Sequence, residues 1–269
     1  MKKISQKELD RLIDEHERWL NEQLKGGHEL ILINYDLSYL SIENRDLSEV
    51  QFCDCDMSSM KVKNCKLLNT VFSSSDFEET LFECCDFLNT SFYGTNLVNS
   101  NFISCSLTNV NLAGANLSRA EIRDCKLENI TTNPCTSFYS LQCPEEGSFI
   151  GFKKANIFVP DTLSDDYTVT NMNIGSPHPV IIKLQITEDS LRSSATSRKC
   201  RCSKVKVLSI SYLDGTECSE GTIAHSQTDF DFTYKVGDVL EVKDFNEDRW
   251  EECATGIHFF ITREEAVNY

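Results

Sequence analysis

The segment from position 192 to 206 concentrates positive charge in a chain whose formal net charge is −16. Its basic residues are Arg192, Arg198, Lys199, Arg201, Lys204 and Lys206. Guanidinium and ammonium groups bind phosphate oxygens, so this segment could bind a nucleotide or a phosphate, with Arg198 and Arg201 as binding candidates. The alternative is that these charges neutralise carboxylates inside the same domain, and the sequence leaves both interpretations open.

Cysteine and histidine side chains in the last third of the chain could ligate a metal. They are Cys200, Cys202, Cys218, Cys253, His225 and His258. Zinc sites need four ligands, and the first pair usually has the spacing C-x₂-C. Cys200 and Cys202 are one residue closer than that, and no second pair follows. We therefore predict no metal ligand and no other cofactor.

The run Gly256-Ile257-His258-Phe259-Phe260 is faintly similar to a strand of ADP-ribosyltransferases, in which an aromatic residue lies against nicotinamide. On that resemblance His258 would take the place of the family's tyrosine. The histidine or arginine motif that should precede this strand is missing, and so is the later glutamate. A histidine buried in the core is the alternative. We predict no catalytic residue, and we take His258 and Arg263 as binding candidates.

Large hydrophobic residues recur at every fifth position from Leu32 to Leu127, twenty in succession. A period of five fits neither an α-helix nor a flat strand, and it predicts a coiled solenoid whose chain turns inward once per five residues. Two positions before each large residue lies a mostly small one. The residue directly before the large one is often Asp or Asn, which favour tight turns because their side chains bond the nearby backbone.

The units Ala115–Arg119 (ANLSR) and Thr95–Asn99 (TNLVN) resemble the A-(D/N)-L-x-x unit of pentapeptide-repeat proteins. The resemblance implies a mainly β fold, a right-handed quadrilateral β-helix with four pentapeptides in each of about five coils. Residues twenty apart should then stack. Cys65, Cys85, Cys105 and Cys125 would form an inward column, which we interpret as core packing rather than as a metal or redox site.

The predicted organisation is a capping helix at 1–29, the β-helix at 30–135, a linker at 136–148 and a small α+β domain at 149–269. Ser5 and Glu8 have the spacing of a capping box, and Gly26-Gly27 should end the first helix. Strands are predicted at 180–186, 205–212, 230–236, 239–242 and 256–261, with a hairpin turn at Gly237-Asp238 and a final helix capped at Thr262. Residues 192–204 and 244–269 resemble an uncharacterised domain found after pentapeptide repeats in phage and bacterial proteins. This resemblance does not indicate which activity the domain has.

Composition disfavours several functions. No segment is basic overall, so direct binding to nucleic acid is disfavoured and a basic partner protein is favoured. No apolar run approaches the ~18 residues that span a bilayer, which predicts no membrane association. The 13 cysteines are an odd number and lie mostly in the repeat register. This pattern indicates a reducing cytoplasm rather than a disulfide framework.

Carboxylates on the early coils form the predicted interaction surface: Asp36, Asp56, Asp76, Glu78 and Glu79. We therefore favour a non-enzymatic module of a bacterium or phage that binds a partner protein through the solenoid surface and the C-terminal domain. One alternative is a C-terminal domain that binds a nucleotide or small molecule, either as a binding module or as an enzyme similar to ADP-ribosyltransferases, with the solenoid as a spacer. A second is a DNA mimic that binds gyrase, as some pentapeptide-repeat proteins do, but residues 87–118 carry no charge to imitate phosphates. A homodimer is also compatible with the sequence.

Overall fold

The computed structural model describes residues 1–22, 26–159 and 176–269 of the chain. The chain forms two compact units, Met1–Ser140 and Leu141–Tyr269, and each is described by itself. Within the described residues, no helix has both the length and the apolar character needed to cross a membrane.

The first unit is a β-solenoid of about five coils that follows an N-terminal helix. Its elements are β1 (Lys2–Lys3), α1 (Gln6–Asn21), β2 (Ile31–Ile33), β3 (Tyr35–Asp36), β4 (Ser41–Glu43), β5 (Gln51–Cys53), β6 (Lys61–Lys63), β7 (Leu81–Glu83), β8 (Asp86–Leu88), β9 (Asn101–Ile103), β10 (Ser106–Thr108), β11 (Glu121–Arg123) and β12 (Lys126–Glu128). Strand β3 pairs with β1, and the other strands from β2 to β12 pair in parallel with residues twenty apart, as Phe82 does with Phe102. Single bridges continue this register, including Asp36 with Asp56 and Asp56 with Asp76. The predicted stacking is therefore confirmed.

The large residue of each pentapeptide fills the interior of the solenoid. Phenylalanine rings stack directly above one another where the register brings them together. The Phe72 and Phe92 ring centroids are 5.0 Å apart, and those of Phe82 and Phe102 are 4.9 Å apart. These distances match the spacing of adjacent strands, ~4.8 Å, so one ring occupies each coil without a gap.

Each pentapeptide turns at a residue that the sequence analysis did not identify. The residue two positions after each large one has a positive φ, between 51° and 73°, from Asn34 to Asn129. Asparagine and glycine tolerate this left-handed conformation best, and glycine occupies it at Gly94 and Gly114. The Asp or Asn directly before the large residue does not occupy the corner itself. Its side chain bonds the backbone two residues on, as the Asp56 carboxylate does when it accepts a hydrogen bond from the Ser58 N–H at 3.0 Å.

Several corner asparagines also bond to each other along the solenoid. Each side-chain amide donates to the residue one coil earlier at 2.6–3.1 Å, which gives a ladder of Glu49, Asn69, Asn89, Asn109 and Asn129. The amide is both donor and acceptor, so every internal member of this asparagine ladder is bonded on both sides.

Helix α1 is predicted correctly at its start and too long at its end. The Ser5 side chain accepts a hydrogen bond from the Glu8 N–H, as the capping box requires. The Glu8 carboxylate does not reach back to Ser5, because it pairs with Arg11 at 2.9 Å. The helix ends at Asn21 rather than at Gly26-Gly27, and residues 23–25 lie outside the described part of the chain.

The second unit contains a rolled β-sheet covered by a smaller sheet. Its elements are β13 (Phe149–Val159), β14 (Ser176–Ile186), β15 (Arg192–Ser194), β16 (Cys200–Cys202), β17 (Lys204–Tyr212), β18 (Ile223–His225), β19 (Thr233–Lys235), β20 (Val239–Glu241), β21 (Ile257–Phe259) and α2 (Arg263–Asn268). In the described residues the larger sheet has the strand order β19-β18-β13-β14-β17-β20, and the smaller has β15-β16-β21. One core joins both sheets and includes Leu184, Cys200 and Phe259. The region predicted as a linker, 136–148, contributes Leu141 and Cys143 to this core.

The hairpin predicted at Gly237-Asp238 is wrong. The chain does turn there, but β19 pairs with β18 and β20 pairs with β17, at opposite edges of the larger sheet. Three residues connect these edges, and so short a connection spans at most ~14 Å. The sheet must therefore roll until its edges approach each other. The Gly237 N–H donates to the Val207 carbonyl at 3.0 Å, which fixes the turn against β17.

The C-terminal helix agrees with the sequence analysis. The Thr262 side chain accepts a hydrogen bond from the Glu265 N–H, and the Glu265 carboxylate accepts one from the Thr262 N–H. This reciprocal pair is a complete capping box.

Candidate functional site

A pocket of about 550 Å³ opens in the second unit. Strand β13, the β18–β19 connection, the end of β20 and the segment before β21 form its walls. The residues that line it include Lys153, Thr228, Asp229, Tyr234, Glu241, Lys243, Asp244, Cys253, Ala254 and His258. Ligand sites typically combine an apolar wall with a few convergent polar groups. This pocket has apolar residues at Phe232, Val242 and Ile257, but charged and polar residues make up most of its lining. We call it the Lys153 pocket.

Lys153 lies on the core-facing side of strand β13. Strand residues alternate between faces, and Gly151, Ala155 and Ile157, which share its parity, are all buried. The Lys153 ammonium donates to the His258 carbonyl oxygen at 3.4 Å and lies 5.9 Å from the centre of the Tyr234 ring. Among the described residues no carboxylate forms an ion pair with it. A lysine is thus held in the wall of a pocket without a counter-ion.

Burial changes the protonation of this lysine. Removal from water disfavours the charged form and lowers the pKa of Lys153 from 10.5 to about 8, and the nearby charge of Lys199 adds to the effect. At neutral pH an appreciable fraction of the amine is therefore uncharged, which makes it available as a nucleophile or a base.

His258 stands in the same pocket as a neutral imidazole. Burial, followed by the charges of Lys153 and Lys199, lowers the pKa of His258 to about 4. Its Nε2 lies 3.1 Å from the Glu252 carbonyl oxygen, which can only accept, so Nε2 carries the proton. Nδ1 then keeps its lone pair and can accept a hydrogen bond.

Cys253 completes the reactive side chains of the Lys153 pocket. Its sulfur lies 3.3 Å from the Lys199 ammonium, which also pairs with Glu252 at 3.7 Å. Across the described ranges, no three His, Cys, Asp or Glu side chains are grouped to hold a metal ion.

The predicted basic candidates are placed elsewhere and mostly hold the domain together. Arg201 is 1% exposed, and it donates to the carbonyl oxygens of Asn246, Asp248 and Thr255 at 2.8–2.9 Å. It thereby fixes the segment that forms one wall of the pocket. Arg198 pairs with Glu265 at 2.6 Å, and Arg263 donates to the Tyr212 and Leu213 carbonyls.

Of the predicted C-terminal candidates, His258 is therefore the one that lines the pocket, and Lys153 was missed. A signal for Lys153 does exist in the sequence. The run from Gly151 to Ile157 alternates as a strand should, and Lys153 occupies a position whose neighbours in the alternation are small or apolar. A lysine at a core position indicates either a buried ion pair or a functional amine.

In the solenoid Asp36, Asp56 and Asp76 stack in one column, and Glu78 and the corner residue Glu79 follow Asp76 in the same pentapeptide. We call these five carboxylates the acidic face. Lys3 pairs with Asp36 at 3.4 Å. Hydrogen bonds from Ser38, with Lys3 as a smaller cause, lower the pKa of Asp36. In the described part of the chain no cation pairs with the other four carboxylates, whereas Glu83 pairs with Lys63 one coil earlier on another face. The acidic column continues as Asn96 and Asn116.

Comparison with protein-family models matches residues 75–137 to the pentapeptide repeat region and residues 139–266 to a family of unknown function (DUF5758). No curated protein matches the chain.

Three solved structures illustrate what the chain resembles. The pentapeptide repeat protein Rfr23 from the cyanobacterium Cyanothece 51142 is 22% identical, with 40% of this chain and 84% of that chain covered and a TM-score of 0.22. A pentapeptide repeat protein of the Arabidopsis thaliana thylakoid lumen is 18% identical, with 34% and 64% covered and a TM-score of 0.23. QnrB1, a plasmid-mediated fluoroquinolone resistance protein, is 14% identical, with 40% and 84% covered and a TM-score of 0.15.

Proposed function

The chain joins a pentapeptide-repeat solenoid to a C-terminal domain that matches a family of unknown function, and we propose that this C-terminal domain binds a small ligand in the Lys153 pocket. One observation carries the proposal: a lysine occupies the core face of a strand, without an ion pair among the described residues, and opens into a pocket. A half-buried cation without an ion pair costs stability, and a functional role would account for its presence at this position.

The walls of the pocket support a polar ligand. The Tyr234 ring and the His258 carbonyl lie near the ammonium, and Asp229, Glu241 and Asp244 line the same pocket. Arg201 holds the wall in place through three backbone carbonyls, so the site is preformed. Preformed sites lose less entropy when a ligand binds.

Thermal unfolding of the full chain against small polar metabolites tests this function. A ligand at 100 times its dissociation constant stabilises a protein by about 2.7 kcal/mol, enough to raise the melting temperature by several degrees. The variant Ala254→Trp fills the pocket and should abolish the shift, while Glu43→Lys on the solenoid should keep it. A shift that Ala254→Trp leaves unchanged would place the ligand elsewhere.

As a second candidate function, we propose that the acidic face binds a basic partner protein. The observation in favour is the contrast between faces: Glu83 is neutralised across coils, whereas Asp56, Asp76, Glu78 and Glu79 have no described cation partner. Stacked like charges repel each other, and a basic surface would relieve that repulsion. The change to Asn96 and Asn116 along the column favours a compact protein contact over imitation of a DNA backbone.

Charge reversal tests the docking function. We expect a protein captured from a bacterial lysate by the full chain to be lost with Asp76→Lys combined with Glu79→Lys, and to be lost at high salt. Glu43→Lys, a reversal on a different face, should keep the capture. Equal capture by the double reversal and by the control would reject the acidic face as the docking surface.

A further inference from the structure

We propose that Lys153 forms a covalent imine with a small polar aldehyde or ketone held in the Lys153 pocket. The inference rests on the ligand-binding function proposed above and names the chemical class of that ligand. It also assigns a reactive group to the site.

The position of the amine is the first support. Its strand places Lys153 among Gly151, Ala155 and Ile157, and the side chain emerges in the pocket wall beside Tyr234 and His258. The Lys153 ammonium donates a hydrogen bond to the His258 carbonyl oxygen at 3.4 Å. Among the described residues this long hydrogen bond is the one that the ammonium donates, and so weak a contact can give way to a bond with a ligand atom.

Comparison with neighbouring lysines shows how unusual this environment is. Lys154, the next residue, points to the other face of the strand and donates to the Val267 carbonyl at 3.0 Å. Lys199 is paired with Glu252 and Cys253, and these partners raise its pKa, whereas burial lowers that of Lys153 to about 8. Imine chemistry requires the neutral amine, which a desolvated lysine supplies.

The reaction balances without an oxidant or a reductant. The Lys153 nitrogen lone pair forms a bond to the carbonyl carbon, and the carbonyl oxygen gains a proton. The carbon–oxygen bond of the resulting carbinolamine then breaks, and the oxygen leaves as water with both amine hydrogens. The amine hydrogens can reach the oxygen through ligand hydroxyls or solvent, and the neutral His258 imidazole, which lines the same pocket, can accept a hydrogen bond from the carbinolamine.

The walls also limit which carbonyl compounds fit. Carboxylates of Asp229, Glu241 and Asp244 line the pocket, so a strongly anionic ligand is disfavoured, and hydroxyl groups on the ligand would find acceptors. A volume of about 550 Å³ lies within the range of small-ligand sites. Short hydroxy-aldehydes are therefore suitable probes.

Reductive trapping tests the imine. The full chain is incubated with glyceraldehyde and cyanoborohydride at about pH 7, and modified lysines are quantified by peptide mass spectrometry. At that pH an amine of pKa about 8 has a neutral fraction roughly 300-fold larger than one of pKa 10.5. The weaker nucleophilicity of the less basic amine offsets part of this, so we expect Lys153 to react at least ~10-fold faster than Lys154.

Three variants complete the test. Lys153→Met should remove the fast labelling, Lys154→Met should leave it intact, and Ala254→Trp should slow Lys153 toward the rate of the exposed lysines. Labelling of Lys153 should level off above about pH 8. Labelling of Lys153 no faster than Lys154 in the folded wild type would overturn the imine. If thermal stabilisation by a ligand still depends on Ala254 in that case, the binding function stands alone; if it does not, both fail.

Discussion

At the small inward position of the repeat, threonine, serine and cysteine make the same hydrogen bond. The Thr90 hydroxyl donates to the Leu67 carbonyl at 2.5 Å, the Ser75 hydroxyl to Phe52 at 3.1 Å, and the Cys85 thiol to Val62 at 3.4 Å. In these three contacts the donor and acceptor are 23 residues apart, whereas the Thr95 and Ser100 hydroxyls at the same position donate to carbonyls three residues earlier. The column of cysteines is therefore one variant of a repeated contact between coils, as its interpretation as core packing requires.

The hydroxyl group, rather than the size of the side chain, should matter at Thr90. Thr90→Val keeps the shape and removes the donor to the Leu67 carbonyl, so we expect a loss of about 1–2 kcal/mol in the free energy of unfolding. Thr90→Ser keeps the donor and should cost less. Urea denaturation of the two variants compares them, and an equal loss in both would assign the effect to packing.

The half-buried Lys153 should carry a measurable cost in stability. Its pKa is about 8 in the folded chain and 10.5 when exposed, so the unfolded state binds more protons between these values and stability rises with pH across that window. At neutral pH the folded chain holds a charge that burial disfavours. Lys153→Met should then stabilise the protein by roughly 1–3 kcal/mol at pH 7.

The stabilisation by Lys153→Met should shrink as pH rises from about 8, and it should vanish above 10.5, where both states hold a neutral amine. Denaturation at several pH values, with Lys154→Met as the matched control, measures this trend. A destabilised Lys153→Met variant at pH 7 would contradict the conclusion that desolvation disfavours the charged form of Lys153.

At the scale of the element, helix α1 covers the open end of the first coil, where a preceding coil would otherwise pack. Buried Leu9 and Ile13 cover the interior, and polar side chains satisfy exposed backbone groups. Gln6 donates to the Ser41 carbonyl at 2.7 Å and accepts from the Ser41 N–H at 2.9 Å. His16 accepts from the Leu30 N–H at 3.1 Å and donates to the Ser48 carbonyl at 2.8 Å. Open strand edges invite aggregation, and this helix closes one.

Loss of the histidine contacts should weaken the whole first coil. His16→Leu leaves the Leu30 N–H and the Ser48 carbonyl without these partners, and we expect a loss of about 2–4 kcal/mol in unfolding free energy. His28→Ala, at an exposed position, should change it by less than ~0.5 kcal/mol. Chemical denaturation and light scattering report stability and self-association, and an unchanged His16→Leu would show that apolar cover alone suffices.

The part of the fold that can be predicted from the sequence depends on how far apart along the chain the paired strands lie. Every coil pairs at a fixed separation, so a period of five read from Leu32 to Leu127 leads directly to the solenoid. In the second unit, β19 and β20 are joined by three residues yet pair with different partners. Sequence reasoning favoured the local hairpin, because a tight turn between two apolar runs is the usual signal. The roll of the sheet depends on contacts between distant segments, and the Lys153 pocket forms only through that roll.

At the scale of the whole molecule, each unit has its own core. The larger core of the second unit is built from residues between Leu141 and Ile261. We therefore expect residues 141–269, expressed alone, to unfold in one cooperative transition. Far- and near-ultraviolet circular dichroism with urea would check this, and a fragment with secondary structure but no fixed tertiary signal would contradict it. A fragment that starts at 149, at the predicted domain boundary, lacks Leu141 and Cys143 and should be less stable.

The large inward residues of the solenoid repeat every five positions, and its stacked outward columns repeat every twenty. The interior and the exterior therefore respond differently to changes in chain length. An insertion of five residues returns every later large side chain to the interior, so the core survives. The same insertion moves all later outward residues by a quarter turn, and Asp76 would no longer stand above Asp56. An insertion of twenty adds a whole coil and preserves both arrangements. Length variation can therefore redesign the surface of such a protein while leaving its fold untouched, with no substitution required.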